Sequence, residues 1–199
     1  MRRFFVLLLA IAGAVLDAAV APAPAAAGDA HLFDYKAFHA NLARSAGTRP
    51  VLSVSGIIAP GAHRQFQAAL TRQNLDLVVL DGPGGVLGEA FLIAEEVRRR
   101  GLSTLVAPNR SCASACAVVF LSGRTKYLGR GAAIGLHSAS YADGRADPEA
   151  TAIMAAYLRQ LGVPRSTLRN MARTAPSDIR WLTAGEQKAL GIRAYEEAR

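Results

Sequence analysis

The chain has 199 residues, 51% hydrophobic and 19% charged, a balance that suits one globular domain and excludes disorder, collagen and repeat arrays. Its 23 basic and 15 acidic residues give a formal net charge of +8. The arginines are scattered and no RNA- or DNA-binding motif accompanies them, so nucleic acid is not expected as a partner.

Arg2 and Arg3 precede an apolar run over 4–16, which Asp17 ends, and a small-residue stretch over 21–27 follows. That order predicts a signal peptide over 1–27, cut after Ala25-Ala26-Ala27 and before Gly28. The run is too short to span a bilayer, and no second run of about 18 apolar residues follows. The mature chain is therefore expected in the periplasm or secreted, with no membrane span. Residues 28–50 read as a mixed, polar lead-in with a short helix over 35–43, and the domain proper is expected over 51–199.

Within that domain, 51–58 reads as a β-rich strand, and Ala62, Phe66, Ala69 and Leu70 recur at helical spacing. A second apolar run, 75–80, ends in Asp81-Gly82-Pro83-Gly84-Gly85, which predicts a strand, a sharp turn and then a helix. Ala90, Ile93, Ala94 and Val97 form the apolar stripe of that helix, Arg98 to Arg100 can pair with Glu95 and Glu96, and Gly101 closes it. A strand over 103–107, a helix over 112–121 and short strands over 126–128 and 133–137 follow. The next helix carries Ile153, Met154, Tyr157, Leu158 and Leu161 on one side, and Gly162 and Pro164 stop it. A short helix over 166–173 precedes the capping box Thr183-Ala184-Gly185-Glu186, which opens a last helix that Gly191 ends. Alternating strands and helices predict a parallel, single-domain α/β fold.

Several common catalytic signatures are missing. There is no phosphate-binding G-x-x-x-x-G-K-[ST], no zinc-binding H-E-x-x-H and no G-x-S-x-G elbow. Gly82, Gly84 and Gly88 imitate a dinucleotide loop with one residue too many, and 101–107 lacks the acid that would hold a ribose. No cofactor and no metal are therefore expected.

Three weaker signals remain. Pro83-Gly84-Gly85 at a strand end leaves backbone N–H groups uncovered where α/β sheets bind ligands, so it can form an oxyanion hole or a plain tight turn. Ser114 lies among small residues at a helix start, where the dipole favours a developing anion, or where it serves as an ordinary N-cap. His137 ends an apolar stretch whose neighbours give no reason for a polar residue, and it reads as a candidate site residue or as an ordinary surface or satisfied strand-end histidine.

In order and spacing, Pro83-Gly84-Gly85, Ser114 at a helix start, His137 closing a strand and Asp178 before Trp181-Leu182-Thr183-Ala184 resemble the proteolytic subunit of Clp protease (ClpP) and its crotonase superfamily. The resemblance covers about 51–192. It implies a single-domain α/β spiral of β-β-α units, with Ser114 as nucleophile, His137 as base, Asp178 as third member, and an oxyanion hole from Ala115 N–H with Gly84 or Gly85. The implied function is an exported serine hydrolase of peptidase type that acts on a peptide or small acyl substrate as a homo-oligomer. A catalytically silent binding module of the same fold is the alternative from another class. A coenzyme A-dependent lyase is disfavoured outside the cytoplasm.

Two departures from the family pattern stand out. Ile179 occupies the position directly before the arginine-aromatic-leucine stretch, so Asp178 is one residue early and needs a bulge or turn to reach His137. Cys112 and Cys116 flank the serine. Residues four apart in a regular helix rise ~6 Å, near the upper end of the disulfide Cα range, and the geometry improves if Cys112 precedes the helix. A disulfide bracing Ser114 and a pair of buried thiols both remain open.

Overall fold

A computed structural model describes residues 31–33, 51–72 and 75–195. The signal peptide expected over 1–27, the helix expected over 35–43 and most of the lead-in over 28–50 lie outside the described residues.

Strand β1 (His31–Phe33) pairs antiparallel with β2 (Val51–Ile58), and β2 runs parallel to β3 (Leu77–Gly85). The first half of β3 is flanked on its other side by β4 (Ser103–Val106), in register from Leu77 with Ser103 to Leu80 with Val106. Then β4 stops and β3 continues. Its Gly82 pairs with Cys112 of β5 (Ser111–Ala113), which leads to β7 (Ala133–Leu136) and the two-residue β8 (Arg180–Trp181). On the other wing β6 (Lys126–Gly129) joins β4, and β9 (Ile192–Tyr195) joins β6. β3 is thus shared by two wings, and the sheet curls at its carboxyl half.

The helices are α1 (Ala62–Arg72), α2 (Leu87–Arg99), α3 (Ala115–Leu121), α4 (Pro148–Gln160), α5 (Arg165–Arg173) and α6 (Ala184–Ala189). All seven residues of α3 are buried, and a helix apolar on every side belongs in the middle of a core. It packs against α2, β3 and β5. Deleting a large buried side chain here, such as Phe120 at 0% exposure, would cost about 3–5 kcal/mol.

Over 51–195 the expected helices and most expected strands are present, with corrections. The chain does not turn at Asp81 but stays extended through Gly85, because Gly84 and Gly85 pair with Ile57 and Ile58 of β2. Cys112 lies in a strand rather than in the following helix, and β8 and β9 form where no strand was expected. The sheet is mixed rather than wholly parallel, through β1 and β8. Ile153, expected on the buried side of α4, is 53% exposed, and Thr151, Met154 and Leu158 face the core instead.

Two polar clusters fix helix positions. The Glu89 carboxylate on α2 accepts from Gly61 N–H at 2.8 Å and His63 N–H at 2.9 Å, so α2 caps the open end of α1. Those two backbone bonds, above all the one from Gly61, hold its carboxyl below the usual range. Further along α2, Phe91 packs on Tyr157 of α4 with ring centroids 4.9 Å apart, and Tyr157 Oη donates to Glu95 at 2.8 Å. At the other end of the molecule Glu186 completes the expected capping box with Thr183 and also receives the Thr167 hydroxyl at 2.8 Å and the Arg180 guanidinium at 3.0 Å. Burial works against its charge, but the Thr183, Arg180 and Thr167 donors outweigh it and hold the carboxyl at about 2.

Candidate active site

Strands β3, β5 and β7 lie side by side, with Gly82 opposite Cys112, Cys112 opposite Ile134 and Ala113 opposite Gly135. Their carboxyl ends therefore align, so Gly84 and Gly85 at the end of β3 share one edge of the sheet with Ser114, just past β5, and His137, just past β7. A crevice at the carboxyl ends of parallel strands is where open α/β sheets bind ligands.

Ser114 sits between β5 and α3 with φ 54° and ψ −125°, one of two non-glycine residues with positive φ among the described ones. Its hydroxyl makes no capping bond to the helix, so the ordinary N-cap reading fails. Its N–H donates to Gly135 O at 2.9 Å, and its carbonyl accepts from Ala117 N–H at 3.0 Å. A serine on a tight, left-handed strand-to-helix turn is presented rather than tucked in. The same physical device serves nucleophile elbows, built here without their G-x-S-x-G pattern.

Close packing makes that turn specific to small neighbours. A Cβ built on Gly84 would lie 2.7 Å from Ser114 Cβ and 2.9 Å from Ala115 N, so only glycine fits behind the serine. Gly84 is buried, whereas Gly85 is exposed and lines the cleft with Ala115. Ala115 opens α3, and its N–H has no intrahelical carbonyl to bond. Cys112 and Cys116 form a disulfide across this turn, with their Cα atoms 5.2 Å apart. The strand position of Cys112 is what permits it.

His137 is half-buried and lines the same cleft as Ser114. Its Nδ1 lies 2.6 Å from the carbonyl oxygen of Ser138. A carbonyl only accepts, so Nδ1 is the donor, and in the neutral ring the lone pair is then on Nε2. Ser138 is itself fixed, since its N–H and its hydroxyl both donate to Thr174 O, at 3.0 and 2.8 Å. Sequence reasoning missed Ser138, because a backbone carbonyl leaves no mark on residue type.

The structure does not bring Asp178 to the imidazole. Asp178 is exposed in a turn, and its carboxylate accepts from Ile179 N–H at 2.7 Å. The Ile179 side chain lies over Gly135, where an added Cβ would meet Ile179 Cγ2 at 2.3 Å. The one-residue offset therefore places an apolar group against β7 and turns the acid outward. Lys126 takes no part either, since it lies in β6 on the other wing, where burial pushes its amine down.

The cleft holding Ser114 and His137 measures about 590 Å³. One rim is Ile57, Ile58, Ala59 and Pro60 with Gly85, Val86 and Leu87, and the rest of the lining includes Tyr141, Ala150 and Met154. The walls carry no charged side chain, so the serine and histidine face an apolar trough. Among the described residues no cluster of three or more metal-ligating side chains occurs, and no helix is long and apolar enough to cross a membrane.

No protein-family model matches the chain, and no curated protein matches it in sequence. Solved structures do match. A serine-to-alanine mutant of the 1510-N membrane-bound stomatin-specific protease superposes with a TM-score of 0.55 at 21% identity, covering 72% of this chain and 77% of that one. A lysine-to-alanine mutant of the same protease, in complex with a substrate peptide, gives 0.57 at 21% identity over 72% and 73%. The ClpP protease catalytic domain from Plasmodium falciparum gives 0.53 at 15% identity over 70% and 81%. With the curled sheet and its split at β3, these likenesses show that the chain has the ClpP-like, crotonase-type fold.

Proposed function

We propose that the chain is an exported serine hydrolase of peptidase type. Ser114 Oγ attacks a carbonyl, His137 Nε2 takes its proton and returns it to the leaving group, and Ala115 N–H with a Gly84 or Gly85 N–H receives the oxyanion. The Ser138 carbonyl does the orienting work that a triad gives to an acid, so the pair acts as a dyad. The observation that carries this reading is the uncapped, left-handed Ser114 sharing a cleft with His137. The peptide bound to one structural neighbour and the uncharged trough here both favour a peptide over a charged small molecule. Assembly into a homo-oligomer and export to the periplasm or beyond belong to the same reading.

Labelling of the purified mature chain by a fluorophosphonate tests it. Wild type should be labelled and Ser114→Ala should not; an unlabelled wild type overturns the proposal. The second reading, a silent binding module, is favoured by the distance of Asp178 from its expected role. It requires that a peptide bind the cleft with no turnover.

A further inference from the structure

Ser114 holds a backbone conformation that an L-residue adopts only under constraint. Its hydrogen bonds do not impose that conformation by themselves. The bond to Gly135 O extends the β5–β7 ladder, and the bonds to its carbonyl belong to any helix start. The disulfide is different. It ties the middle of β5 to the second residue of α3, with 5.2 Å between the Cα atoms. Four residues of extended chain would span about 13 Å, so the link forces the backbone to double back at Ser114.

Both cysteines are buried, Cys112 at 0% and Cys116 at 3% exposure. Two thiol sulfurs keep van der Waals separation, well beyond a bond. Reduction therefore pushes the two sulfurs apart inside a close-packed core, and the span Ala113-Ser114-Ala115 between the cysteines takes up the change.

We propose that the Cys112–Cys116 disulfide is a positioning element for hydrolysis: it holds the turn that aims Ser114 Oγ into the cleft, so the oxidised chain is competent and the dithiol chain is folded but slow. This rests on Ser114 being the nucleophile. Closing the bond passes two electrons and two protons from the thiols to a disulfide oxidant, and a dithiol reductant reverses it by becoming a disulfide itself. Competence would then arise only in an oxidising compartment.

The test compares oxidised wild type, wild type held reduced in dithiothreitol, and the double variant Cys112→Ala/Cys116→Ala. Reduced wild type keeps every heavy atom, so it carries the comparison if the double variant loses its circular dichroism spectrum. On a peptide ester, kcat should fall ~10- to 100-fold in both altered forms. KM should stay within about twofold, and reoxidation should restore kcat. Amide hydrogen exchange at Ser114 should quicken at least ~10-fold while the amides of Val78 to Leu80 in β3 are unchanged. Equal exchange at Ser114 in the oxidised and reduced chains overturns the proposal. A wild type that neither hydrolyses nor labels overturns the nucleophile reading instead, and the exchange comparison still decides whether the disulfide holds the turn.

Discussion

Gly84 at the end of β3 packs against Ser114 just past β5, so closely that one added carbon on Gly84 would stand 2.7 Å from Ser114 Cβ. Gly84 also has φ +109°, which strains any side chain. Gly84→Ala should lower fluorophosphonate labelling by ~100-fold or more by displacing the serine. Gly101→Ala is the control, at φ +63° with nothing within 4 Å; it should cost about 1–2 kcal/mol of stability and leave labelling intact. Wild-type labelling in Gly84→Ala would remove the contact from the argument.

The two residues offered as partners of Ser114 should behave unequally. His137→Ala should lower kcat/KM by ~10²–10⁴-fold through loss of the general base. Asp178→Asn should change it by no more than about twofold, since that carboxylate is spent on Ile179 N–H. A large loss in Asp178→Asn would mean that the acid reaches the imidazole during turnover.

Glu186 gives the fold a pH-dependent element. Its carboxyl is held at about 2 in the folded chain against an ordinary value of 4.5. A depressed acid stabilises fully above its unfolded value and loses that contribution as pH falls through the folded one. Glu186→Gln should therefore lower stability by about 1–3 kcal/mol near neutrality, read as a urea midpoint. The gap to wild type should close between pH 4.5 and about 2. A gap independent of pH would assign the loss to packing.

Export makes a separate prediction. N-terminal sequencing of protein from a periplasmic fraction should begin at or near Gly28. Recovery of an intact Met1 from the cytoplasm would oppose both export and the oxidised state on which the disulfide depends.

What the residues announced beforehand follows from range. Helices α2, α4 and α6 were legible because their stripes, stops and capping box lie within a few residues of each other. Ser114 and His137 were legible as members of a spaced pattern. The path of β3 through Gly84 and Gly85 was not, because local rules read Gly-Pro-Gly-Gly as a turn, and only pairing with the distant Ile57 and Ile58 keeps it extended. Strand β9 likewise exists through its ladder to β6. Ser138 meets His137 through its main chain, and in the turn before β8 the Asp178 carboxylate bends back to Ile179 N–H; neither contact is written in residue type.

Glu89 has an effect on the cleft that reaches beyond capping a helix. It stands at the start of α2, just past Gly85, Val86 and Leu87, and grips Gly61 and His63, just past Ile57 to Pro60. The two segments of one rim are thereby a single rigid jaw. Ala150 and Met154 on α4 line the same trough, and α4 meets α2 through Phe91, Tyr157 and Glu95. Trimming Phe91 or Tyr157, which lie outside the lining of the trough, should therefore loosen α4 on α2 and be felt at the serine as a change in the bulk of side chain the trough admits.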